Sequence, residues 1–202
     1  MKPQSILLPV IALFATALPS GAAVSQQTLD NLNTAFQGES NAAHRYEVFA
    51  KIADAEGHAY VARLFRAASR AESIHRESHK AAILALGGTA KEFQLDEVKP
   101  QGTAENLKAA IAGETHERDS MYPDFLKQAR QDNAMEAIRT FTYAQKAEAG
   151  HAELYQNALG NLGKLKDVPL YVCKVCGFTT TELPAKNCRS CRKSVDNYVK
   201  ID

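Results

Sequence analysis

Glu148-Ala149-Gly150-His151 places a carboxylate and an imidazole three residues apart, so on a helix the two side chains lie on one face, one turn apart. The same spacing recurs at Glu72-Ser73-Ile74-His75, and further carboxylates stand at Glu39 and in Glu114-Thr115-His116-Glu117. A lone Glu-x-x-His usually belongs to a solvated helix face. Here the two pairs sit at matching places, each preceded by a segment carrying Glu, as in an internal helix-pair repeat. Four helices that each turn Glu toward one centre, two of them adding His, supply the ligand set of a carboxylate-bridged di-iron site in a four-helix bundle.

The flanking sequence supports four helices. Leu29, Leu32, Phe36, Ala43, Tyr46, Phe49, Ala50 and Ala53 recur at helical intervals from Thr28, a candidate N-cap, to Gly57, a candidate C-cap. A second helix runs from about His58 to Leu86 and stops at Gly87-Gly88, and the short turn between the two makes them antiparallel neighbours. Residues 88–102 read as a crossover. The third helix opens at Thr103 and reaches about Arg130, with Pro123 expected to kink or rearrange it after Glu114 and Glu117. The fourth spans about Asn133 to Leu162. Gly150 is a poor helix former inside the metal-ligand pair, so it either makes room beside the metals or marks a bulge, and altered geometry is expected there. His44, His58, His79 and His116 read as ordinary, although His79 lies one turn beyond His75.

With 202 residues there is room for one bundle and a small appendage, and 45% apolar against 23% charged residues suits a buried core. A formal net charge of +1 argues against a nucleic-acid binder working by phosphate neutralisation. Lys2, the apolar run Ile6–Leu18 and Ser20-Gly21-Ala22-Ala23 read as a signal peptide over residues 1–23, implying an exported, periplasmic protein without stable membrane insertion after cleavage. A retained anchor is the alternative, but the run is short of about 20 residues and carries Pro9.

All four cysteines fall in Cys173-x-x-Cys176 and Cys188-x-x-Cys191, a tetrathiolate knuckle pair that suits iron or zinc. The bundle thus spans 28–163, a linker 164–170 and the cysteine module 171–202. From Lys164 onward eight Lys/Arg face four Asp/Glu, either a solvated surface or a dock for an acidic electron donor.

Together, Phe36-Gln37-Gly38-Glu39-Ser40, the two Glu-x-x-His pairs, Gly113-Glu114-Thr115-His116-Glu117 and the Cys-x-x-Cys pairs resemble the rubrerythrin family over residues 28–202. The resemblance implies an all-α ferritin-like bundle, with a left-handed crossover between helices 2 and 3, fused to a rubredoxin-like domain. It implies an oxo-bridged di-iron centre on Glu39, Glu72, His75, Glu114, Glu117, Glu148 and His151, with Glu72 and Glu148 bridging. One iron would exchange His75 for Glu117 on oxidation. Tyr46 and Tyr122 match tyrosines that support the ligands. Tyr46, seven residues after Glu39, is placed to hydrogen-bond a ligand carboxylate, whereas Tyr122, eight after Glu114, is out of helical phase unless the helix is distorted. Tetrathiolate iron on Cys173, Cys176, Cys188 and Cys191 completes the set. Cys188-Arg189-Ser190-Cys191-Arg192 departs from the family pattern, lacking its proline and glycine.

The implied activity is a peroxidase reducing hydrogen peroxide to water in protection against oxidative stress, fed by an electron donor that the sequence does not identify. With the two centres far apart within one chain, the resemblance implies electron transfer between subunits of a head-to-tail homodimer. The alternatives are a ferroxidase or iron-handling protein on the same bundle, and a zinc-tailed binding module without turnover.

Overall fold

The computed structural model describes residues 24–202, so the signal-peptide reading of residues 1–23 lies outside the described residues. Helix α1 (Gln26–Ala55) packs along α2 (Ala59–Ala85), while α3 (Thr103–His116) and α4 (Tyr122–Gln131) pack along α5 (Met135–Gly160). A π-helical turn, Glu117–Met121, joins α3 to α4, so these segments form the third rod of the bundle. Among the described residues no helix is long and apolar enough to cross a membrane.

Local chemistry sets the helix ends. Ser25, not Thr28, caps α1: its hydroxyl accepts the Thr28 N–H at 3.3 Å, while the Thr28 hydroxyl lies three residues into the helix and donates to Asp132 at 2.6 Å. Gly57 and Gly87 take the left-handed conformation after α1 and α2, as expected of residues ending a helix. Gly102 offers no side chain to α3, and Glu56 at the far end of α1 accepts the Thr103 N–H instead, at 2.9 Å. The crossover runs beside α1, where Asn33 and Asn41 accept the Lys91 and Asp96 backbone N–H groups at 2.8 and 3.1 Å.

Two apolar cores fill the bundle. One holds Tyr46, Phe49, Leu64, Phe65, Leu107 and Tyr155; the other holds Leu32, Ile83, Tyr122, Leu126 and Phe141. On every rod the metal-ligand positions fall between these groups: Glu39 between Leu32 and Tyr46, Glu72 and His75 between Phe65 and Ile83, Glu114 between Leu107 and Tyr122, Glu148 between Phe141 and Tyr155. The charged layer is therefore sealed at both ends by aromatic side chains.

The C-terminal module is a three-stranded antiparallel sheet of order β2-β1-β3, with β1 Leu170–Cys173, β2 Thr179–Thr180 and β3 Tyr198–Ile201. Its Leu170 and Val172 are buried in the first bundle core, and Leu165 and Val168 of the expected linker pack there too. Arg63 pairs with Asp167 and donates to the Val168 carbonyl at 3.0 Å. The linker is thus fastened to α2 and holds the module against its own bundle.

Candidate metal centre

Six of the seven expected bundle ligands converge in two groups: Glu39, Glu72, His75 and Glu148, and Glu72, Glu114, Glu148 and His151, with one potential ligand atom per residue and all within 4.8 Å of one another. Glu72 and Glu148 belong to both groups, the placement expected of bridging carboxylates. All six are at most 1% exposed. Glu117, at the start of the π turn, is only half-buried and belongs to neither group, so His75 rather than Glu117 completes the first. It still feels the cluster: burial and the carboxylates of Glu114, Glu148 and Glu72 push its carboxyl well up.

These side chains fit a pair of cations. Glu39 Oε2, Glu72 Oε1, Glu114 Oε2, both Glu148 oxygens and His151 Nδ1 are buried without hydrogen-bond partners. Buried polar atoms are normally satisfied, and uncompensated buried carboxylates cost several kcal/mol each. Two divalent ions would neutralise four carboxylates, leaving Glu117 as spare negative charge. Where metal is absent, protons do this work. Burial raises Glu39, and raises Glu114 to about 8 together with the neighbouring Glu72 and Glu148, although His151 opposes. Burial opposes charge on His75, but Glu148 and Glu72 overcome it and hold the imidazole up at about 10.

The histidines share one arrangement. His75 turns Nδ1 to Glu72 and Glu148, at 2.8 and 3.2 Å, and His151 turns Nδ1 to Glu148, Glu72 and Glu114, at 2.9, 3.2 and 3.4 Å. Their Nε2 atoms point to the cysteine module: His75 Nε2 lies 3.1 Å from the Cys176 carbonyl and His151 Nε2 3.0 Å from Thr179 Oγ1. The carbonyl can only accept, and Thr179 gives its own proton to the Gly177 carbonyl at 3.1 Å. Both imidazoles therefore carry hydrogen on Nε2 and offer Nδ1 to metal. Gly177, at φ +73°, packs directly against His75; a Cβ there would overlap the imidazole.

The expectation that the two centres lie far apart within one chain is therefore corrected. The reason is the short, fastened linker, which leads Cys176 onto His75 of the same chain.

Each tyrosine serves the opposite half of the repeat. Tyr46 on α1 donates to Glu114 Oε1 at 2.6 Å, and Tyr122 donates to Glu39 Oε1. The π turn explains Tyr122: its one extra residue brings the position eight after Glu114 into the phase that Tyr46 occupies seven after Glu39. Pro123, lacking an N–H, sits just beyond the π turn, where the α-helical ladder is already interrupted. Gly150 neither bulges nor makes room for metal: α5 is unbroken, and an added Cβ would meet only the Thr179 carbonyl, at an ordinary 3.9 Å.

His79, read as ordinary, is fully buried and hydrogen-bonded to both Tyr122 and Thr140. Its place one turn beyond His75 puts it on the ligand face, but its partners, like the roles of Thr140 and Thr179, are set by contacts between elements distant in sequence. Of the other histidines, His116 is exposed and His44 and His58 half-buried, outside both groups.

The four thiols are buried, free and within 4.8 Å of one another, with Cys173–Cys191 and Cys176–Cys188 sulfur distances of 3.8 and 3.7 Å. A tetrahedron with metal–sulfur bonds of about 2.3 Å has edges of about 3.8 Å. The two knuckles share one backbone bond: Gly177 N–H donates to the Cys173 carbonyl at 2.9 Å and Arg192 N–H to the Cys188 carbonyl at 3.1 Å. Arg192 adopts φ +63° there, a conformation that glycine takes without strain.

Bundle, carboxylate–histidine cluster and tetrathiolate knuckle define a ferritin-like di-iron protein with a rubredoxin-like tail. A family model described as Rubrerythrin matches residues 30–159. Rubrerythrin-2 of Clostridium acetobutylicum is 35% identical over 181 residues, covering 85% of this chain and 95% of that protein. Nigerythrin of Nitratidesulfovibrio vulgaris is 30% identical over 171 residues, covering 85% of each. A solved structure of nigerythrin in a partially reduced state aligns with TM-score 0.80 at 30% identity, covering 99% of this chain and 100% of that one. A bacterioferritin of Rhodobacter capsulatus, at 24% identity and TM-score 0.62, shares the bundle fold. The chain belongs to the rubrerythrin family.

Proposed function

We propose that this protein reduces hydrogen peroxide to water at the carboxylate–histidine cluster, with electrons entering at the four cysteines: one peroxide, two electrons and two protons give two waters. The observation that carries this reading is the clamp in which Cys176 and Thr179 hold the Nε2–H groups of His75 and His151. When bound, the paired irons supply the two electrons that cleave the O–O bond, and a tetrathiolate iron restores them one at a time.

The residues of the chain supply everything else. Glu39, Glu72, Glu114, Glu148, His75 and His151 would hold the paired metals, with Glu117 as the extra carboxylate available on oxidation. Tyr46 and Tyr122 hold Glu114 and Glu39 in place and close the layer against the aromatic cores. From Cys176 to His75 the path is covalent except for one hydrogen bond of 3.1 Å, so no second subunit is needed for this route. The family resemblance still implies a homodimer, a matter separate from the relay.

Cys173→Ser separates the relay from the chemistry. Steady-state peroxide turnover is expected to fall at least about 100-fold, while the chemically reduced cluster still reoxidises with stoichiometric peroxide in a single turnover. Full steady-state turnover in the variant would remove the cysteines from the electron path. Reoxidation by oxygen alone, with retention of iron mineral, would favour the iron-handling alternative, and zinc at the cysteines would favour the scaffold.

We further infer export from residues 1–23. N-terminal sequencing of protein from the periplasmic fraction is expected to begin near Ala23 or Val24, and recovery of Met1 from the cytoplasm would overturn it.

A further inference from the structure

The polar groups around Glu39 continue away from the metal cluster. Tyr122 donates to Glu39; the Tyr122 hydroxyl lies 3.1 Å from His79 Nε2; and His79 Nδ1 lies 3.0 Å from Thr140 Oγ1. Thr140 lines a surface-open cavity of ≈ 440 Å³ between α2, α5 and the cysteine module, together with Ser78, Arg139, Tyr143 and Lys193. A chain of three hydrogen bonds thus joins a metal-ligand carboxylate to a space wide enough for water.

The carboxylate sets the direction of every bond. With metal bound Glu39 is ionised and can only accept, so Tyr122 gives its proton to Glu39 and must itself accept from His79. His79 therefore carries hydrogen on Nε2, its Nδ1 is bare, and Thr140 is the donor to it. Thr140 is free for this task because it does not bond back along its own helix as its neighbour Thr142 does, at 2.6 Å to the Ile138 carbonyl. All three bonds point inward.

Among the described residues the other half of the repeat has no such line. Tyr46 donates to Glu114, but behind it stand Phe49, Phe65 and Tyr155, and the Tyr155 hydroxyl has no partner. The polar continuation is built on the Glu39 side alone.

We propose that Thr140, His79 and Tyr122 form the line by which protons from solvent in this cavity reach Glu39 and, from it, the oxygen being reduced. This rests on the peroxide reading above, which needs two protons per turnover. Water gives a proton to Thr140 as Thr140 passes its own to His79 Nδ1. The Nε2 proton moves to Tyr122, and the Tyr122 proton moves to Glu39. Each group gains one proton and loses one, so the imidazole is neutral before and after; rotation of the hydroxyls and return of the imidazole tautomer reset the line. His79 and Thr140 are positioning and relay residues: His79 Nε2 lies 3.7 Å from Glu39 Oε1, beyond a hydrogen bond, and its bond goes to Tyr122 instead.

Two measurements test it. In the full chain loaded with zinc, nitrogen-15 spectra of His79 are expected to show the Nε2–H tautomer with Nδ1 accepting a hydrogen bond; an Nδ1–H tautomer overturns the line whatever the substrate. In the iron-loaded, reduced protein, single-turnover oxidation by stoichiometric peroxide is expected to slow about 10-fold or more in His79→Leu and in Thr140→Val, with a changed solvent deuterium isotope effect. Thr142→Val, whose hydroxyl lies off the line, is expected to match wild type. Imidazole added to His79→Gly is expected to restore part of the rate, which a merely structural role would not allow. If His79→Leu does not fold, Thr140→Val carries the test, since it leaves the His79–Tyr122 bond intact. Wild-type rates and isotope effects in the variants overturn the proposal. A wild-type protein inert to peroxide overturns the peroxide reading instead, and the His79 tautomer then decides the line alone.

Discussion

Glu148→Gln is expected to drop bound iron from about three ions per chain to about one, the survivor lying at the cysteines. Glu148 belongs to both ligand groups, is fully buried, and leaves both carboxylate oxygens without hydrogen-bond partners. Glutamine keeps the shape but cannot give an anionic oxygen to each of two metals. Glu39 and Glu114, each in one group, should cost less. The metal-free variant can shed a proton from His75 or His151, so it avoids an uncompensated buried charge and should melt close to the metal-free wild type. The contrast appears on loading. A metal present at about a thousandfold over its Kd stabilises the wild type by about 4 kcal/mol, or on the order of 10 °C in Tm for a chain of this size. The variant should show none of the bundle-site share of that shift. Metal analysis and calorimetry with and without ferrous iron check both halves, and full iron content in the variant would remove Glu148 from the site.

How far the sequence foretells this site depends on whether a contact follows the period of one helix. Glu72 with His75 and Glu148 with His151 obey that period, so their shared faces were legible, and the repeat made Glu39 and Glu114 legible too. Tyr46 was legible as a donor, though not that its acceptor would be Glu114 on another rod. Tyr122 was out of phase by one residue, and only the π turn at Glu117–Met121 restores it. Thr28 looked like a helix cap because it opens the apolar pattern, but Asp132, more than a hundred residues away, claims its hydroxyl. For His79 the spacing after His75 gave the face but not the partners, and Thr140 and Thr179 act through contacts between elements, which no spacing encodes. The docking of Cys176 on His75 is of the same kind. It depends on Arg63, which belongs to no motif of the sequence, and on Asp167 and the partly buried Leu165 and Val168, which read as a linker.

The affinity of the bundle site for metal is expected to rise steeply with pH, by at least about 100-fold per unit below pH 8 and at least about 10-fold per unit between 8 and 10. The sign follows from the metal-free cluster. Burial and the neighbouring Glu72 and Glu148 raise Glu114 to about 8, and Glu148 with Glu72, overcoming burial, raises His75 to about 10. Both groups are therefore protonated at neutral pH without metal and must lose those protons to bind it. Each proton displaced makes apparent affinity rise tenfold per pH unit until pH passes the metal-free value of that group, after which its contribution ends. Glu39, also raised by burial and its carboxylate neighbours, and His151, raised against burial by Glu114 and Glu72, can only steepen the slope. Chelator competition with zinc between pH 6 and 9 measures it, and heats of binding in buffers of different ionisation enthalpy count the protons directly. A flat profile would mean that the cluster holds no protons to displace. On His75 the departing proton must be the one on Nδ1, because the Cys176 carbonyl keeps the one on Nε2. Loading with metal therefore discharges the imidazole without breaking its bond to the cysteine module, and the contact between the two centres survives the change of charge.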